Sequence, residues 1–184
     1  MDLKKKMKAC AVISFLITIA SAVIYRCTFK EFLLPIAITF GTIAYHFAMR
    51  LLVGGAYSLF MNNKADYTKR HYRVGEREMR LYQRINVKKW KKNIPTYDAA
   101  LFDVKKHSPE EIVQAMCQAE LVHETIAVLS FLPIAAGVWF GDFPVFIITS
   151  AAAAVIDMIF VVVQRYNRQR VLRIIEKRKA ARRS

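Results

Sequence analysis

The sequence predicts an all-α integral membrane protein with about four transmembrane helices and a basic, partly amphipathic cytoplasmic segment between the second and third. Three observations predict this class. Of the 184 residues, 55% are hydrophobic, and they gather in uninterrupted stretches long enough to cross a bilayer. The charges, 29 Lys and Arg against 14 Asp and Glu, gather between and after these stretches. The three cysteines are widely spaced and predict neither a disulfide framework nor a zinc site.

Four apolar stretches are the candidate spans of a single membrane domain that covers residues 1–184. A bilayer core needs about 20 helical residues, so each stretch can cross once. The second has length to spare, and we expect it to bend along the interface at Gly54-Gly55. For the first, a cleavable signal peptide ending near Ala20-Ser21-Ala22 is the alternative to a retained helix, which we favour because the apolar run continues to Tyr25. The spans lie at about residues 9–25, 32–60, 117–140 and 143–164.

The connections between the stretches predict the orientation. Residues 63–111 carry 13 Lys and Arg against 7 Asp and Glu, and the basic tail at 165–184 carries 9 against a single Glu. The other two connections, at 26–31 and 141–142, are short and hold few charges. Because Lys and Arg concentrate in cytoplasmic segments, we expect both termini and the central segment to lie in the cytoplasm.

The central segment has the pattern of a helix, a turn and a second helix. From Lys64 to Arg84, tyrosines and aliphatic residues alternate with many charges, an amphipathic pattern typical of a helix on a membrane surface. Asn93-Ile94-Pro95 predicts the end of whatever precedes it. Ser108-Pro109-Glu110-Glu111 predicts a helix start, with Ser at the cap and a Glu reaching back to it. This helix is expected to run unbroken into the third span.

Ionisable residues within the spans are predicted to fall at one depth. Each costs at least a few kcal/mol in a bilayer, and such groups usually face a cavity, a partner or a substrate. Their common depth predicts one polar pocket that opens to the cytoplasm. The alternative is that Arg50 and Asp157 only pair to orient helices, with His123 hydrogen-bonded between neighbours. The residues at this depth are Arg50, Glu120, His123, Glu124 and Asp157.

Glu120 and His123 are three residues apart and therefore share one face of a helix. A carboxylate beside an imidazole holds its tautomer and raises its basicity, the arrangement needed to take a proton from an alcohol. A di-iron bundle would need a second Glu-x-x-His copy, which the sequence lacks, and the order of residues does not match the zinc-protease pattern. We therefore predict no metal site.

Two basic runs flank the spans. The run Lys88-Lys89-Trp90-Lys91-Lys92 and the tail at 178–183 are expected to attract anionic lipid headgroups, at about 1 kcal/mol per residue. Trp90 suits an interfacial anchor, and the same run suits the phosphates of a carrier thioester. Nucleic acid is not predicted as a partner, because these charges follow the orientation rule of membrane spans.

Three segments carry a resemblance to a known family. They are Val87-Lys88-Lys89-Trp90-Lys91-Lys92-Asn93-Ile94-Pro95, Ala119-Glu120-Leu121-Val122-His123, and Val163-Gln164-Arg165-Tyr166-Asn167-Arg168-Gln169-Arg170. These segments resemble the glycosyl-4,4'-diaponeurosporenoate acyltransferases, which catalyse the last step of staphyloxanthin-type carotenoid synthesis. The resemblance extends to their order, their spacing and their positions relative to the apolar runs. The similarity covers roughly residues 84–172. The chain departs from the family pattern at Gln118, at Glu124, where the family has Trp, and at Gln169.

The resemblance implies transfer of a fatty acyl chain from a thioester co-substrate to a hydroxyl of a glycosylated lipid or carotenoid, with no cofactor, in a bacterial-type cell membrane. It implies that His123 takes the proton of that hydroxyl and that Glu120 orients His123. The alternative is a non-catalytic membrane module that binds anionic lipid or scaffolds a partner enzyme. The residues implied to bind the donor or its oxyanion are Lys88, Lys89, Trp90, Lys91, Arg165, Asn167 and Arg168.

Overall fold

The computed structural model describes residues 3–90, 99–141 and 143–182, and all regular structure within these ranges is helical. Short 3-10 turns lie at Arg70–Tyr72, Ala99–Phe102 and Leu132–Ala136. The α-helices in these ranges are α1 (Leu3–Thr28), α2 (Leu33–Met61), α3 (Glu76–Arg84), α4 (Val87–Trp90), α5 (Pro109–Leu129), α6 (Gly137–Phe140) and α7 (Phe143–Ala181).

Within the described residues, four helical segments are long and apolar enough to cross a membrane: α1, α2, Pro109–Phe140 and α7. They coincide with the four predicted spans, so the predicted fold class is confirmed. On α1 the large side chains of Val12, Phe15 and Leu16 are all exposed. Such a surface is stable where its surroundings are hydrocarbon. The chain is therefore a multi-pass helical membrane protein.

The chain divides into two compact units. Unit 1 comprises residues 1–55 and 129–153, and unit 2 comprises residues 56–128 and 154–184. Unit 1 therefore contains α1, most of α2, α6 and the first part of α7. Unit 2 contains α3, α4, nearly all of α5 and the rest of α7, and with them every ionisable residue of the predicted pocket except Arg50.

In unit 1 the helical geometry changes after Leu129, where α5 ends. In an α-helix the Leu129 carbonyl would accept the N–H of the residue four positions later, but that residue is Pro133 and has no N–H. The hydroxyl of Tyr45 on α2 donates to this carbonyl instead, at 2.7 Å. The chain then continues through the 3-10 turn at Leu132–Ala136 and α6. One proline thus explains both the end of the helix and the contact from α2.

Two of the spanning helices differ from the prediction: α2 is not interrupted, and α7 is longer than expected. α2 stays α-helical through Gly54-Gly55, so the helix is not interrupted where a bend was expected. α7 continues to Ala181, well past the predicted end of the span at residue 164, so most of the basic tail is helical. The tail continues the helix because residues 165–181 contain no Gly or Pro to end it.

In unit 2 the predicted helix from Lys64 to Arg84 is wrong for its first part. Asp66 Oδ1 accepts hydrogen bonds from the Thr68 N–H at 3.0 Å and from the Thr68 hydroxyl at 2.6 Å, which closes a turn instead of a helix. The backbone at Arg73 and Gly75 is extended, so α3 begins only at Glu76. Local side-chain hydrogen bonds therefore replace the helical ladder in this stretch.

The apolar face of α3 packs on protein, and the interpretation as a membrane-surface helix is wrong for these side chains. Met79 and Tyr82 are buried in a cluster with Val87 of α4 and with Val163 and Tyr166 of α7. The amphipathic pattern was correct, but the apolar face is covered by α4 and α7. α3 is thereby held against α7, which carries several of the predicted site residues.

The predicted start of α5 is confirmed. The Glu111 N–H donates to Ser108 Oγ at 3.2 Å, and the Ser108 N–H donates to Glu111 Oε2 at 2.7 Å, which is a reciprocal capping box. The helix then runs unbroken into the third span, as expected. The predicted stop at Asn93-Ile94-Pro95 lies outside the described residues.

Candidate functional site

Two polar clusters join α5 to α7 within unit 2. Around an α-helix, positions 157, 165 and 168 fall within about 80° of one another, so these residues of α7 share one face. That face meets the face of α5 that carries positions 120 and 123. We call Glu78, Glu120, Arg165 and Arg168 the arginine clamp, and His123 with Asp157 the histidine pair.

Glu120 is the centre of the arginine clamp and is fully buried. Its Oε1 accepts a hydrogen bond from Arg165 Nη1 at 2.5 Å, and its Oε2 accepts one from Arg168 Nη1. A buried carboxylate is destabilising by several kcal/mol unless its charge is balanced and hydrogen-bonded. Two guanidinium groups, one on each oxygen, meet that requirement.

Arg165 uses all five of its N–H donors within the protein. Its Nε and Nη2 donate to the two oxygens of Glu78 at 2.7 and 3.2 Å, a bidentate pair. Its Nη1 also donates to the carbonyl of His71, and its Nη2 to the carbonyl of Arg73, both at 3.2 Å. Because a guanidinium has five N–H donors, this arrangement leaves none for a substrate.

Arg168 completes the attachment of the segment that precedes α3. It is fully buried, its Nη2 donates to the Tyr72 carbonyl at 2.7 Å, and its guanidinium lies 5.2 Å from the centre of the Tyr72 ring. The two arginines of α7 thus bind the carbonyls of three consecutive residues, 71 to 73. The clamp therefore fixes the start of α3 on α7.

The pKa values of Glu78 and of the two neighbouring tyrosines, which lie outside the spans, indicate which of these groups are charged. Burial alone would raise the pKa of Glu78, but hydrogen bonds from Arg165 and Tyr82 hold it below its usual range. The Tyr82 hydroxyl donates to Glu78, and burial together with this bond raises the pKa of Tyr82. Burial also raises the pKa of Tyr72 to about 12. At neutral pH Glu78 is therefore ionised and both tyrosines are neutral.

The histidine pair has a different character. His123 Nδ1 lies 2.9 Å from Asp157 Oδ1, and the ring stacks on Phe160 with centroids 4.6 Å apart and planes 8° from parallel. The side chain of Asp157 is 2% exposed, whereas that of His123 is 23% exposed. A carboxylate at Nδ1 favours the tautomer whose Nδ1 carries the proton and whose Nε2 carries the lone pair. The pair is thus arranged as an oriented, accessible base.

Glu120 and His123 have different partners in the structure from those that the sequence suggested. Glu120, expected to orient His123, binds the two arginines, and Asp157 of α7 occupies the position beside the imidazole. The spacing of Glu120 and His123 places them one helical turn apart, but it does not determine which group on the opposing helix each one meets. Asp157 itself was predicted only as a polar group of the pocket.

Glu124 pairs with a residue that the sequence did not single out. Its Oε2 lies 2.9 Å from His71 Nε2, and the two side chains are 29% and 50% exposed. Ligand atoms of His71, Glu120 and Glu124 lie within 4.8 Å of one another, close enough to hold a metal ion. However, both oxygens of Glu120 already accept from guanidinium groups, so a divalent cation would lie beside two positive charges. These residues do not fit a metal centre.

The predicted donor-binding residues lie partly on α4. Lys88 and Lys89 are exposed there, and Trp90 is half-buried against the apolar cluster of α3 and α7. Lys91 lies outside the described residues. Asn167 is half-buried on α7.

Arg50 belongs to unit 1, whereas the other ionisable residues of the predicted pocket belong to unit 2. It lies on α2, where its Nη1 donates to the carbonyl of His46 one turn earlier, at 3.1 Å.

Two residues of the clusters were missed from sequence. Glu78 and Tyr82 are four residues apart on α3, a spacing that places a polar pair beside the buried Met79. That spacing is a usable signal, but the wider pattern of this segment predicts an amphipathic helix on a membrane surface. His71 follows a turn and carries no motif, so no pattern in the sequence indicates its contact with Glu124.

A comparison with protein-family models matches residues 63–177, more than half of the chain, to the family described as glycosyl-4,4'-diaponeurosporenoate acyltransferase. The matched range contains both the arginine clamp and the histidine pair. No curated protein and no solved structure matches the chain.

Proposed function

Because the chain belongs to the glycosyl-4,4'-diaponeurosporenoate acyltransferase family, we propose that it is a membrane acyltransferase that moves a fatty acyl chain from a thioester to a hydroxyl of a glycosylated lipid or carotenoid. The observation that carries this proposal is the 2.9 Å contact between His123 Nδ1 and Asp157 Oδ1. A buried carboxylate at Nδ1 makes Nε2 the basic nitrogen of a partly exposed ring. That property is what removal of a hydroxyl proton requires.

In the proposed reaction His123 Nε2 accepts the proton of the acceptor hydroxyl while the hydroxyl oxygen bonds to the thioester carbonyl carbon. The tetrahedral intermediate collapses with cleavage of the carbon–sulfur bond, and the imidazolium returns its proton to the departing sulfur. Asp157 accepts the hydrogen bond from Nδ1–H and stabilises the imidazolium. The products are an ester and a free thiol, and no oxidant or reductant is consumed.

We assign Glu120, Arg165 and Arg168 a positioning role in place of the substrate contacts implied by the family resemblance. The support is that all five donors of Arg165 and both oxygens of Glu120 already have partners within the protein. A substrate phosphate could reach Arg165 only by displacing Glu78 or a backbone carbonyl. The clamp instead keeps α3 and the segment before it attached to α7.

Substrate contacts are proposed for the exposed Lys88 and Lys89 and for the half-buried Trp90 and Asn167. Lys88 and Lys89, continued by Lys91, attract the phosphates of the donor, with Trp90 as an interfacial anchor. Asn167 is the amide donor assigned to the thioester oxygen.

The acceptor is assigned to the pair formed by His71 and Glu124. The support is that both side chains are partly exposed and lie 2.9 Å apart, so that together they offer an imidazole and a carboxylate to sugar hydroxyls. We place both termini and residues 63–111 in the cytoplasm, which is supported by the excess of Lys and Arg in these segments.

The test is acyl transfer by the purified protein in vesicles that contain a glycosylated carotenoid, with acyl-coenzyme A as donor. We expect His123→Ala to lower the rate by about 10²- to 10⁴-fold while the thermal unfolding curve stays unchanged. His107→Ala is the matched control, because His107 is a partly exposed histidine of unit 2 whose ring faces Glu111, outside both polar clusters. We expect the wild-type rate from this variant.

Three results would contradict the proposal. Full activity of a folded His123→Ala variant would eliminate the base. Loss of folding in that variant would favour the membrane scaffold. The absence of any lipid heavier by one acyl group, in mass spectrometry of cells that express the wild type and make the acceptor, would eliminate the acyltransferase function.

A further inference from the structure

Unit 1 contains a partly open cavity of about 430 Å³. Its walls come from α1, α2, the 3-10 turn at Leu132–Ala136, the last residue of α6 and the first turn of α7. Enclosed voids in protein interiors are rarely larger than a water molecule, so this partly open cavity is large enough to receive a ligand. Its lining includes small and hydroxyl-bearing residues: Thr18, Ala22, Gly41, Thr42, Tyr45 and Ala136.

The hydroxyl groups in the wall are already used by the protein. Thr18 and Thr42 each donate to the carbonyl of the residue one turn earlier on the same helix, at 2.8 and 2.9 Å. Tyr45 donates to the Leu129 carbonyl at 2.7 Å. The remaining lining side chains are aliphatic or aromatic, so the wall presents carbon to its contents. Such a cavity does not hold water and accepts hydrocarbon.

Small residues create the space. Ala22 on α1, Gly41 on α2 and Ala136 after α5 line the cavity from three sides. A Cβ atom built on Gly41 would lie 3.4 Å from the methyl carbon of Thr18, so a larger side chain there would have to point into the cavity or push α1 away. Larger residues at these positions would fill the space, as overpacking does in any close-packed interior.

The volume of the cavity indicates how much hydrocarbon it can hold. At about 30 Å³ for a group the size of a water molecule or a methylene, 430 Å³ holds about 14 such groups. That is one linear chain of fatty acyl length. The two chains of a phospholipid would need about twice this space.

We propose that this cavity binds one linear hydrocarbon chain, the fatty acyl chain that the protein transfers, and that it sets the preferred length of that chain. The inference rests on the proposed acyltransferase function. The walls on α1 and α2 lie before residue 63, outside the range of the family match. Chain-length selection is therefore assigned jointly to α1 and α2, which the family model does not cover, and to residues 132–146, which it does.

The experiment fills the cavity from two of its walls, with Ala22→Phe on α1 and Ala136→Phe after α5. The transfer rate is measured in vesicles with acyl-coenzyme A donors of 8 to 18 carbons, as about six separate substrates. Because a phenyl ring takes the room of about four methylenes, we expect the optimal donor to become about four carbons shorter, with the rate on the short donors kept within about threefold. Retention of the wild-type optimum in both folded variants would overturn the inference.

The chain offers a matched control for each variant. Ala20 lies two residues before Ala22 on α1, and Ala135 directly precedes Ala136; both are exposed and neither lines the cavity. Ala20→Phe and Ala135→Phe therefore add the same side chain next to the same segments. We expect both controls to keep the wild-type optimum, and an equal shift in the controls would contradict an effect of the cavity.

A binding measurement separates the cavity from the reaction. A photoreactive 14-carbon fatty acid in the vesicle membrane should label cavity-lining residues in the wild type and in Ala20→Phe, and much less in Ala22→Phe. Equal labelling of all exposed residues on α1 would mean that only bilayer chains reach this face, and would overturn the inference. Specific labelling by a wild type that transfers no acyl group would instead contradict the proposed function and support the hydrocarbon site.

Discussion

The arginine clamp and the histidine pair both join α5 to α7, but they differ in what they leave accessible. In the clamp, Glu120 and Arg168 are fully buried, and every N–H donor of Arg165 already has a partner. In the histidine pair, a buried carboxylate holds an imidazole that is 23% exposed. Buried charges that are paired with each other suit a structural attachment, whereas a buried orienting group beside a partly exposed base suits catalysis. The same two helices thus carry both arrangements, and the proposed function assigns the first to holding the fold and the second to the reaction.

The largest effect is expected from opening the clamp. Arg168→Met removes one of the two positive charges on Glu120 and the hydrogen bond to the Tyr72 carbonyl. A buried carboxylate that loses a charge partner destabilises a protein by about 3–5 kcal/mol. We expect loss of the folded protein, measured as a large fall in the thermal unfolding temperature in detergent and in the yield of monodisperse protein.

The control for this prediction is Arg173→Met, because Arg173 is exposed on the same helix. We expect wild-type unfolding from this variant. If Arg168→Met unfolds like the wild type but loses acyl transfer, the clamp is not purely structural and Arg168 contacts the substrate.

A smaller effect is expected from changing the orienting group of the histidine pair. In Asp157→Asn the amide can donate to His123 Nδ1, which favours the tautomer whose lone pair is on Nδ1 and not on Nε2. We expect kcat to fall by about 10- to 100-fold with little change in KM, because the base and not the binding of substrate is affected. The measurement is steady-state acyl transfer with the unfolding temperature determined in parallel.

Asp66→Asn is the matched substitution outside the pair, since Asp66 is exposed and its carboxylate is hydrogen-bonded to Thr68. It should leave kcat unchanged. An equal loss of kcat in Glu120→Gln with normal unfolding would show that Glu120, as the sequence suggested, also orients the base.

Some features of the two clusters and of the fold could be predicted from the sequence, and others could not. The four apolar segments and the capping box at Ser108 depend on neighbouring residues, and both were predicted. The partner of Arg165 could not be predicted in this way, because Glu78 lies 87 residues earlier and follows an extended stretch that interrupts the expected helix. Likewise Asp157 was recognised as a polar group in a span, but its contact with His123 depends on how α5 and α7 face each other.

The smallest effect concerns the outer edge of the clamp and depends on pH. Arg165 and Tyr82 hold the pKa of Glu78 below its ordinary value of 4.5, so the folded state is favoured while Glu78 is ionised. This contribution is present above pH 4.5 and is lost as the pH falls through the lowered folded-state pKa. Glu78→Gln should therefore be less stable than the wild type at pH 7, by about 1 kcal/mol for a partly exposed contact, and the difference should shrink below pH 4. The unfolding temperatures of both proteins between pH 3 and 7 measure this difference. Glu76→Gln, an exposed carboxylate on the same helix, should show no such convergence, and parallel acid curves for Glu78→Gln and the wild type would place Glu78 outside the clamp.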